Sequence, residues 1–136
     1  MPMETRLSYL RIALIACGLI MIFGVYPLVV LWPSGWAWGH GHSHYLLMIV
    51  GIYATLGIFL LLAARDPLAH RSLIWFTVWS SVVHGAIMGI QAMPAEHCGH
   101  LLGDVPALFL FAIVLGALLV WSGDGQAEPL APSVTR

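Results

Sequence analysis

Four long apolar segments, separated by short polar connections, make up most of this 136-residue chain. They cover 7–31, 45–64, 72–91 and 105–121, and Arg11 is the one charged residue inside them. An α-helix needs about 20 residues to cross a hydrocarbon core of about 30 Å. Lipid offers no water to backbone polar groups, so only helices and closed barrels cross it, and continuous apolar runs favour helices. The sequence therefore predicts an all-α fold, an antiparallel bundle of four transmembrane helices.

Composition supports a membrane protein and excludes nucleic-acid binding. Only 8% of the residues are charged and the mean hydropathy is +0.92, whereas a soluble domain carries about 25% charged residues. The formal net charge is −1, which offers no basic surface to phosphates. Residues 1–122 are predicted to form one transmembrane domain, and the polar, proline-containing segment 123–136 a disordered cytoplasmic tail. Cys17 and Cys98 are expected at different membrane depths, which disfavours a disulfide.

The basic residues predict the orientation. All of them lie at one end of the predicted spans, where they would face the cytoplasm under the positive-inside rule: Arg6, Arg11, Arg65, Arg71 and Arg136. Connections 32–44 and 92–103 contain no Lys or Arg and would face the periplasm of a bacterial inner (cytoplasmic) membrane. The first apolar segment is too long for a signal peptide, and bulky tryptophans follow it, so we expect it to be retained.

The two outward connections concentrate residues that bind metals. Imidazole, thiolate and carboxylate are the protein ligands of zinc, copper and iron. Alternate residues of an extended segment point to opposite sides, so His40 and His44 could share a site while His42 points away. The first-choice ligands of a transition-metal site are His84, His100, Asp104 and His44, followed by His40 and His97.

A simpler interpretation of the same residues stays open. Histidine and tryptophan side chains at a membrane interface hydrogen-bond to water and lipid headgroups, and Asp104 would then serve as the N-cap of the fourth helix. Trp32, Trp36, Trp38 and Tyr45 are predicted to form an aromatic belt at this outer interface.

The third segment carries a polar stripe. Its members are spaced 4, 3, 4 and 3 residues apart, which places them on one helix face: Thr77, Ser81, His84, Met88 and Gln91. An ionisable group at membrane depth normally faces the bundle interior. Antiparallel counting brings Tyr53 and Tyr26 level with His84 as candidate hydrogen-bond partners. The stripe is either a polar funnel that leads from the outer connections to His84 or ordinary interhelical packing with a hydrogen bond.

Several short segments resemble a family of small uncharacterised bacterial four-helix membrane proteins. They lie at 51–57, 65–67, 70–73, 84–85 and 99–108, and the resemblance covers roughly residues 10–120. It implies a fold and a membrane location, and no activity. In size and helix number the chain is also similar to the DoxX-like proteins, some of which are associated with quinone-linked oxidation. No DoxX functional residue is placed in this chain.

Three functions are compatible with these patterns. The leading hypothesis is an outward-facing His/Asp site that binds Zn, Cu or Fe in a redox or metal-handling role. The first alternative is an accessory subunit of a larger membrane complex, or a homo-oligomer in the bilayer. The second is a proton-coupled small-molecule transporter that uses His84 as a proton relay. Whether the chain is an enzyme stays open, because Cys98 between His97 and His100 does not define a nucleophile and its base.

Overall fold

The computed structural model describes residues 2–38 and 44–123, apart from the side chains of residues 95 and 96. Within this part the chain is all-helical, and four helices are long and apolar enough to cross a membrane. This confirms the all-α fold and identifies a multi-pass membrane protein. The helices are α1 (Met3–Leu31), α2 (His44–Ala63), α3 (Arg71–Gln91) and α4 (Asp104–Gly123).

Helix bounds differ from the predicted ones mainly at the ends of the apolar segments. The first helix begins at Met3, before the apolar segment starts, so its first turn contains polar residues. The carboxylate of Glu4 in this turn is favourable because it lies near the positive end of the helix dipole. The connections are also more ordered than the sequence suggests. A short helix, Pro33–Trp36, begins with proline at its first position, and a 3-10 helix, Ala95–Leu101, precedes α4.

A π-helical turn, Ile20–Gly24, interrupts α1 between Met3–Leu19 and Val25–Leu31. Pro27 follows it and has no N–H to donate to the Phe23 carbonyl four residues earlier. Turns and prolines of this kind bend helices. Met21 on this turn is 1% exposed and points into the bundle interior, whereas Phe23 on the same turn is exposed.

The four helices form an incomplete ring. The first helix packs against α2 and α4, and α3 packs extensively against α4, whereas α2 and α3 contact each other only weakly. Short connections favour antiparallel packing of sequential helices. That expectation holds for α1 with α2 and for α3 with α4, and it largely fails between α2 and α3. One side of the ring is therefore loosely closed.

The main cluster of buried apolar side chains lies mostly in one half of the bundle. We call the end with Met3 and Gly123 the proximal end, and the end with residues 32–38 and 92–103 the distal end. Leu10, Leu60, Ile74 and Leu119 are fully buried and lie in the proximal halves of the four helices. The remaining core members belong to the same cluster, and most of them continue it towards mid-bundle: Leu14, Cys17, Met21, Ala64, Val78, Ala112 and Leu115.

Two glycines set the distance between α1 and α2. A β-carbon added at Gly57 would lie 2.6 Å from the carbonyl oxygen of Gly18, and one at Gly18 would lie 2.8 Å from the carbonyl oxygen of Gly57. Small residues at such crossings let two backbones approach closely, which is a main source of helix association in lipid. Because α2 has little support from α3, this contact is its principal attachment to the bundle.

Replacing Gly57 by alanine should therefore destabilise the bundle. The new methyl group meets backbone atoms that cannot rotate away, so the helices must separate, at a cost of about 1–3 kcal/mol. Gly51 on the same helix is the matched control, because a β-carbon there meets nothing within 4 Å. Unfolding free energies in mild detergent should fall for Gly57→Ala and stay unchanged or rise for Gly51→Ala. Equal effects of the two changes would contradict this account of the contact.

Candidate functional site

The two distal connections meet and form a cap over the bundle, here called the distal cap. The 3-10 helix packs against the short helix Pro33–Trp36. A β-carbon at Gly99 would collide with the carbonyl oxygen of Ser34, and one at Gly103 with the carbonyl oxygen of Gly35. Both positions therefore need glycine for the backbones to touch. The distal cap brings residues from opposite ends of the sequence into one site.

Asp104 joins the two connections to α4. Its Oδ2 accepts a hydrogen bond of 3.0 Å from Nε1 of Trp38 and lies 2.9 Å from Nδ1 of His100. Asp104 is the first residue of α4 and is 6% exposed, while His100 is 2% exposed. The side chain thus points at the distal cap and bonds to ring nitrogens of Trp38 and His100. Asp104 is the first residue within the helix and its carboxylate caps no backbone N–H among the described residues, so the N-cap role predicted as the simpler alternative is not formed.

Nδ1 of His100 and Oδ2 of Asp104 form a hydrogen bond whose donor depends on the tautomer of His100. With an ionised carboxylate, which only accepts hydrogen bonds, Nδ1 would be the donor. The indole of Trp38 stacks on the His100 ring with centroids 4.0 Å apart and an interplanar angle of 24°. Charge-assisted bonds of this kind are about twice as strong as neutral ones. One carboxylate oxygen therefore holds two aromatic rings in place beneath the distal cap.

A cavity of about 290 Å³ lies under the distal cap, in the half of the bundle that the apolar core leaves unfilled. All four long helices and the short connection before residue 39 contribute to its walls, which are mainly apolar. The lining side chains include Met21, Val25, Ile49, Leu108, Phe111, Trp36, Tyr53, His84 and Asp104. Ligand pockets usually combine such walls with a few placed polar groups.

Two buried polar atoms at this cavity have no hydrogen-bond partner among the described residues. They are Oδ1 of Asp104, the second carboxylate oxygen, and Nε1 of Trp36. Both residues line the cavity. An unpaired buried group costs about 1–3 kcal/mol, and more when it is charged, so native proteins rarely keep one without a reason. One atom is an acceptor and the other is a donor, and both are buried so completely that other atoms of the two residues form the cavity wall.

A second polar pair lies deeper in the same cavity. The hydroxyl of Tyr53 on α2 is 2.7 Å from Nδ1 of His84 on α3, and the two rings are nearly parallel at 10°. This contact is the clearest direct link between α2 and α3. Tyr53 is thus placed as a hydrogen-bond partner of His84, whereas Tyr26 is 53% exposed on the outside of α1. The pair satisfies an intramembrane histidine that would otherwise be costly.

The polar stripe of α3 divides between cavity and core. His84, Met88 and Gln91 line the cavity. Thr77 is fully buried nearer the proximal end and donates a hydrogen bond of 3.0 Å to the carbonyl of Leu73 in its own helix. Ser81 is 4% exposed. The stripe therefore faces the bundle interior along its length, and its distal members form one wall of the cavity.

The predicted metal ligands are only partly brought together. His100 and Asp104 are in contact, and the His97 ring lies 6.4 Å from that of His100. His84 pairs with Tyr53 instead, and His44 is exposed at the start of α2. Among residues 2–38 and 44–123, no three His, Cys, Asp or Glu side chains come close enough to hold a metal ion. His40 lies outside the described residues, so metal binding stays a prediction.

Sequence reasoning did not assign Trp36 and Trp38 to the site. Both were expected in an aromatic belt facing lipid headgroups, but Trp38 bonds to Asp104 and the indole nitrogen of Trp36 is buried at the cavity. A belt tryptophan and a site tryptophan occupy the same depth in the membrane. No local signal separates them, because the difference depends on where the second connection packs.

A family model, described as a family of unknown function (DUF6632), matches residues 4–132. The resemblance to an uncharacterised family is thereby confirmed, while bacterial origin and similarity to DoxX-like proteins stay predictions. No curated protein and no solved structure matches the chain.

Changing Trp38 to phenylalanine tests how the distal cap is held. The ring can still stack on His100, but Oδ2 of Asp104 loses a donor, which we expect to cost about 1.5–3 kcal/mol of unfolding free energy. The matched control is Trp79→Phe, because Trp79 is 60% exposed on α3. Chemical unfolding in mild detergent measures both. A loss no larger than that of the control would show that the Trp38 bond does not hold the distal cap.

Proposed function

We propose that this chain, which belongs to the DUF6632 family of unknown function, is an intramembrane binding protein for a small amphipathic molecule. The ligand would be about the size of one or two rings and would partition into lipid. The observation that supports this most directly is the 290 Å³ cavity, whose mainly apolar walls include a few polar side chains, among them Tyr53, His84 and Gln91.

The close packing of protein interiors indicates that a cavity of this size has a function. Protein interiors contain few voids larger than a water molecule, and each void forfeits contacts between the atoms that line it. An engineered apolar cavity of about 150 Å³ in another protein is large enough to bind benzene. The cavity here is nearly twice that size, and most of its walls are apolar. Its size and walls fit an aromatic or alicyclic ring.

The loosely closed side of the helix ring supports access from the bilayer. The cavity is lined by Tyr45, Ile49 and Tyr53 on α2 and by Met88 and Gln91 on α3, the two helices that pack weakly. Tyr45 is 80% exposed at the distal end of α2. A ligand dissolved in lipid would therefore reach the cavity between these helices without crossing the apolar core.

We also propose a bacterial inner membrane with both termini in the cytoplasm. Four arginines lie on segments at the proximal end of the bundle, which supports this orientation under the positive-inside rule: Arg6, Arg11, Arg65 and Arg71. The distal cap and the cavity would then lie near the periplasmic face.

Metal handling is the second candidate function. The observation that favours it is the His100–Asp104 contact, since metal-binding histidines commonly donate their other ring N–H to a carboxylate. In that arrangement Nε2 of His100 would be the metal ligand. The roles of accessory subunit and of proton-coupled transporter stay predictions from the sequence.

Filling the cavity tests the leading proposal. Saturable binding of 2-naphthol to the protein in lipid nanodiscs, corrected with empty discs, should weaken at least about tenfold in Ala107→Phe, because Ala107 lines the cavity. Ala86→Phe on the exposed face of α3 is the control and should bind normally. Absence of saturable binding to the native protein, or an equal loss in both variants, would overturn the proposal.

Metal analysis tests the second candidate separately. Mass spectrometry of protein that was extracted in mild detergent without a histidine tag or chelator should find near-stoichiometric zinc, copper or iron if that role is correct. The content should drop in His100→Ala and persist in His70→Ala, because His70 is exposed at the proximal end. A metal-free native protein would remove this candidate and leave the cavity proposal standing.

A further inference from the structure

We infer that the ligand of the cavity is a neutral carbonyl compound, such as a ketone or an ester, whose oxygen accepts a hydrogen bond from the Tyr53–His84 pair. The two side chains join α2 to α3, and both line the cavity. This inference rests on the proposed function and specifies the chemical class of the ligand and the side chains that recognise it.

The pair carries one more hydrogen than its own bond uses. The hydroxyl of Tyr53 has one hydrogen, and the neutral imidazole of His84 has one on either Nδ1 or Nε2. The 2.7 Å contact between the hydroxyl oxygen and Nδ1 uses only one of these two hydrogens. If the hydroxyl donates, the Nε2–H group is left over, and if Nδ1 donates, the hydroxyl hydrogen is left over. One donor therefore remains in either tautomer, and an imidazolium would only add another.

The protein offers no acceptor to this remaining donor. In the described part of the chain, Tyr53 and His84 form no side-chain hydrogen bond except the one to each other. Gln91 also lines the cavity, but it lies two turns further along α3, about 10 Å from His84. A donor that is left without an acceptor in apolar surroundings is costly, so a ligand that brings an acceptor gains affinity.

Nε2 of His84 is accessible, unlike the unpaired atoms of Asp104 and Trp36. Oδ1 of Asp104 and Nε1 of Trp36 are completely buried. Nε2 of His84 also has no partner among the described residues, but it is not enclosed in this way. The rings of His84 and Tyr53 are both half-buried and line the cavity. A ligand in the cavity therefore reaches the pair directly.

The charges and walls of the cavity favour a neutral ligand. Asp104 lines the same cavity, and an ionised carboxylate there repels a second anion. An ammonium group has no acceptor, so it would leave the donor of the pair unpaired. Met21, Leu108 and Phe111 are apolar lining residues, among which an unpaired ion is costly to bury. A carbonyl oxygen accepts a hydrogen bond without charge and without a hydrogen that needs its own partner.

Water is the main competitor for the donor. A buried water is usually held by about three polar partners. Among the described residues, α1 contributes only apolar side chains to the cavity, and Asp104 is the only polar lining residue of α4. A water beside the pair therefore finds few further partners. A carbonyl needs the one donor, and the body of the ligand covers the apolar walls.

Two compounds of the same shape test the acceptor on the native protein in lipid nanodiscs. 2-Acetylnaphthalene carries a ketone, and 2-isopropenylnaphthalene has a methylene group in place of the oxygen. Each affinity is corrected for partition into empty discs. We expect the ketone to bind at least about tenfold more tightly, since the hydrocarbon leaves the donor of the pair unpaired. The C=O stretching frequency of the bound ketone should lie below its value in an alkane, because a hydrogen bond to the oxygen weakens the C=O bond.

A double variant assigns the preference to the pair. Tyr53→Phe combined with His84→Leu removes both polar groups, and replacing both partners by apolar groups of similar shape is nearly neutral for stability. The ratio of the two affinities should fall to about one, and the frequency shift should disappear. Either single change still leaves one donor, so each single variant should keep most of the preference. Tyr26→Phe combined with His70→Leu, at exposed positions, is the matched control and should keep the full ratio.

The outcomes separate this inference from the proposed function. Equal affinities of the ketone and the hydrocarbon, with binding of both lost in Ala107→Phe, would overturn the carbonyl inference and keep the binding function. Tighter binding of 2-naphthoate or of 2-naphthylmethylammonium than of the ketone would overturn it in favour of an ionic site. A preference that survives in the double variant would overturn the assignment to Tyr53 and His84. No saturable binding of any compound would overturn both proposals.

A ketone with a long chain separates two sources of the same chemistry. 2-Hexadecanoylnaphthalene presents the same carbonyl group in a lipid-like molecule. Tighter binding than that of 2-acetylnaphthalene supports a lipid as the ligand, and exclusion supports a free small molecule. If the double variant fails to fold, the two compounds of the same shape and the C=O frequency on the native protein still decide whether a carbonyl is recognised.

Discussion

The carboxylate of Asp104 connects parts of the chain that are far apart in sequence. One of its oxygens bonds to Trp38 in the first distal connection and to His100 in the last, while its backbone begins α4. These bonds join the two connections of the distal cap to α4, and Trp38 and Asp104 both line the cavity. The second oxygen of the same side chain is buried without a partner among the described residues, and the residue itself lines the cavity. The packing of the distal cap and one wall of the proposed binding cavity therefore both involve Asp104.

The proximal and distal halves of the bundle differ in how their interiors are packed. In the proximal half, fully buried leucines and isoleucine from all four helices pack into a continuous core. In the distal half, where α2 and α3 are joined by the Tyr53–His84 contact, the cavity is lined by Met21 on the irregular turn of α1 and by Val25 next to it. The close contact between Gly18 and Gly57 holds α2 to α1 where the two halves meet. Stability can thus reside in the core while the space for a ligand remains open.

Parts of the site follow from simple sequence arguments. The helical spacing of His84, Met88 and Gln91 places them on one face, and an ionisable residue in a membrane helix turns inward. Counting along antiparallel helices brings Tyr53 level with His84, and the structure shows the two in contact. The same counting admits Tyr26, which faces outward because its direction depends on the rotation and bend of α1. The depth of a residue in the membrane can be counted from the sequence. The direction in which its side chain points from an irregular helix cannot.

The sequence by itself determines the four membrane-spanning helices. A continuous apolar segment of this length can cross lipid only as a helix, which satisfies its backbone polar groups internally. It also determines which end of the bundle collects the histidines and which collects the arginines. Only the tertiary structure decides that the two distal connections touch, that Trp36 and Trp38 turn inward, and that α2 and α3 separate. These features rest on contacts between residues more than 60 positions apart, such as Trp38 with Asp104, and local periodicity carries no information about them.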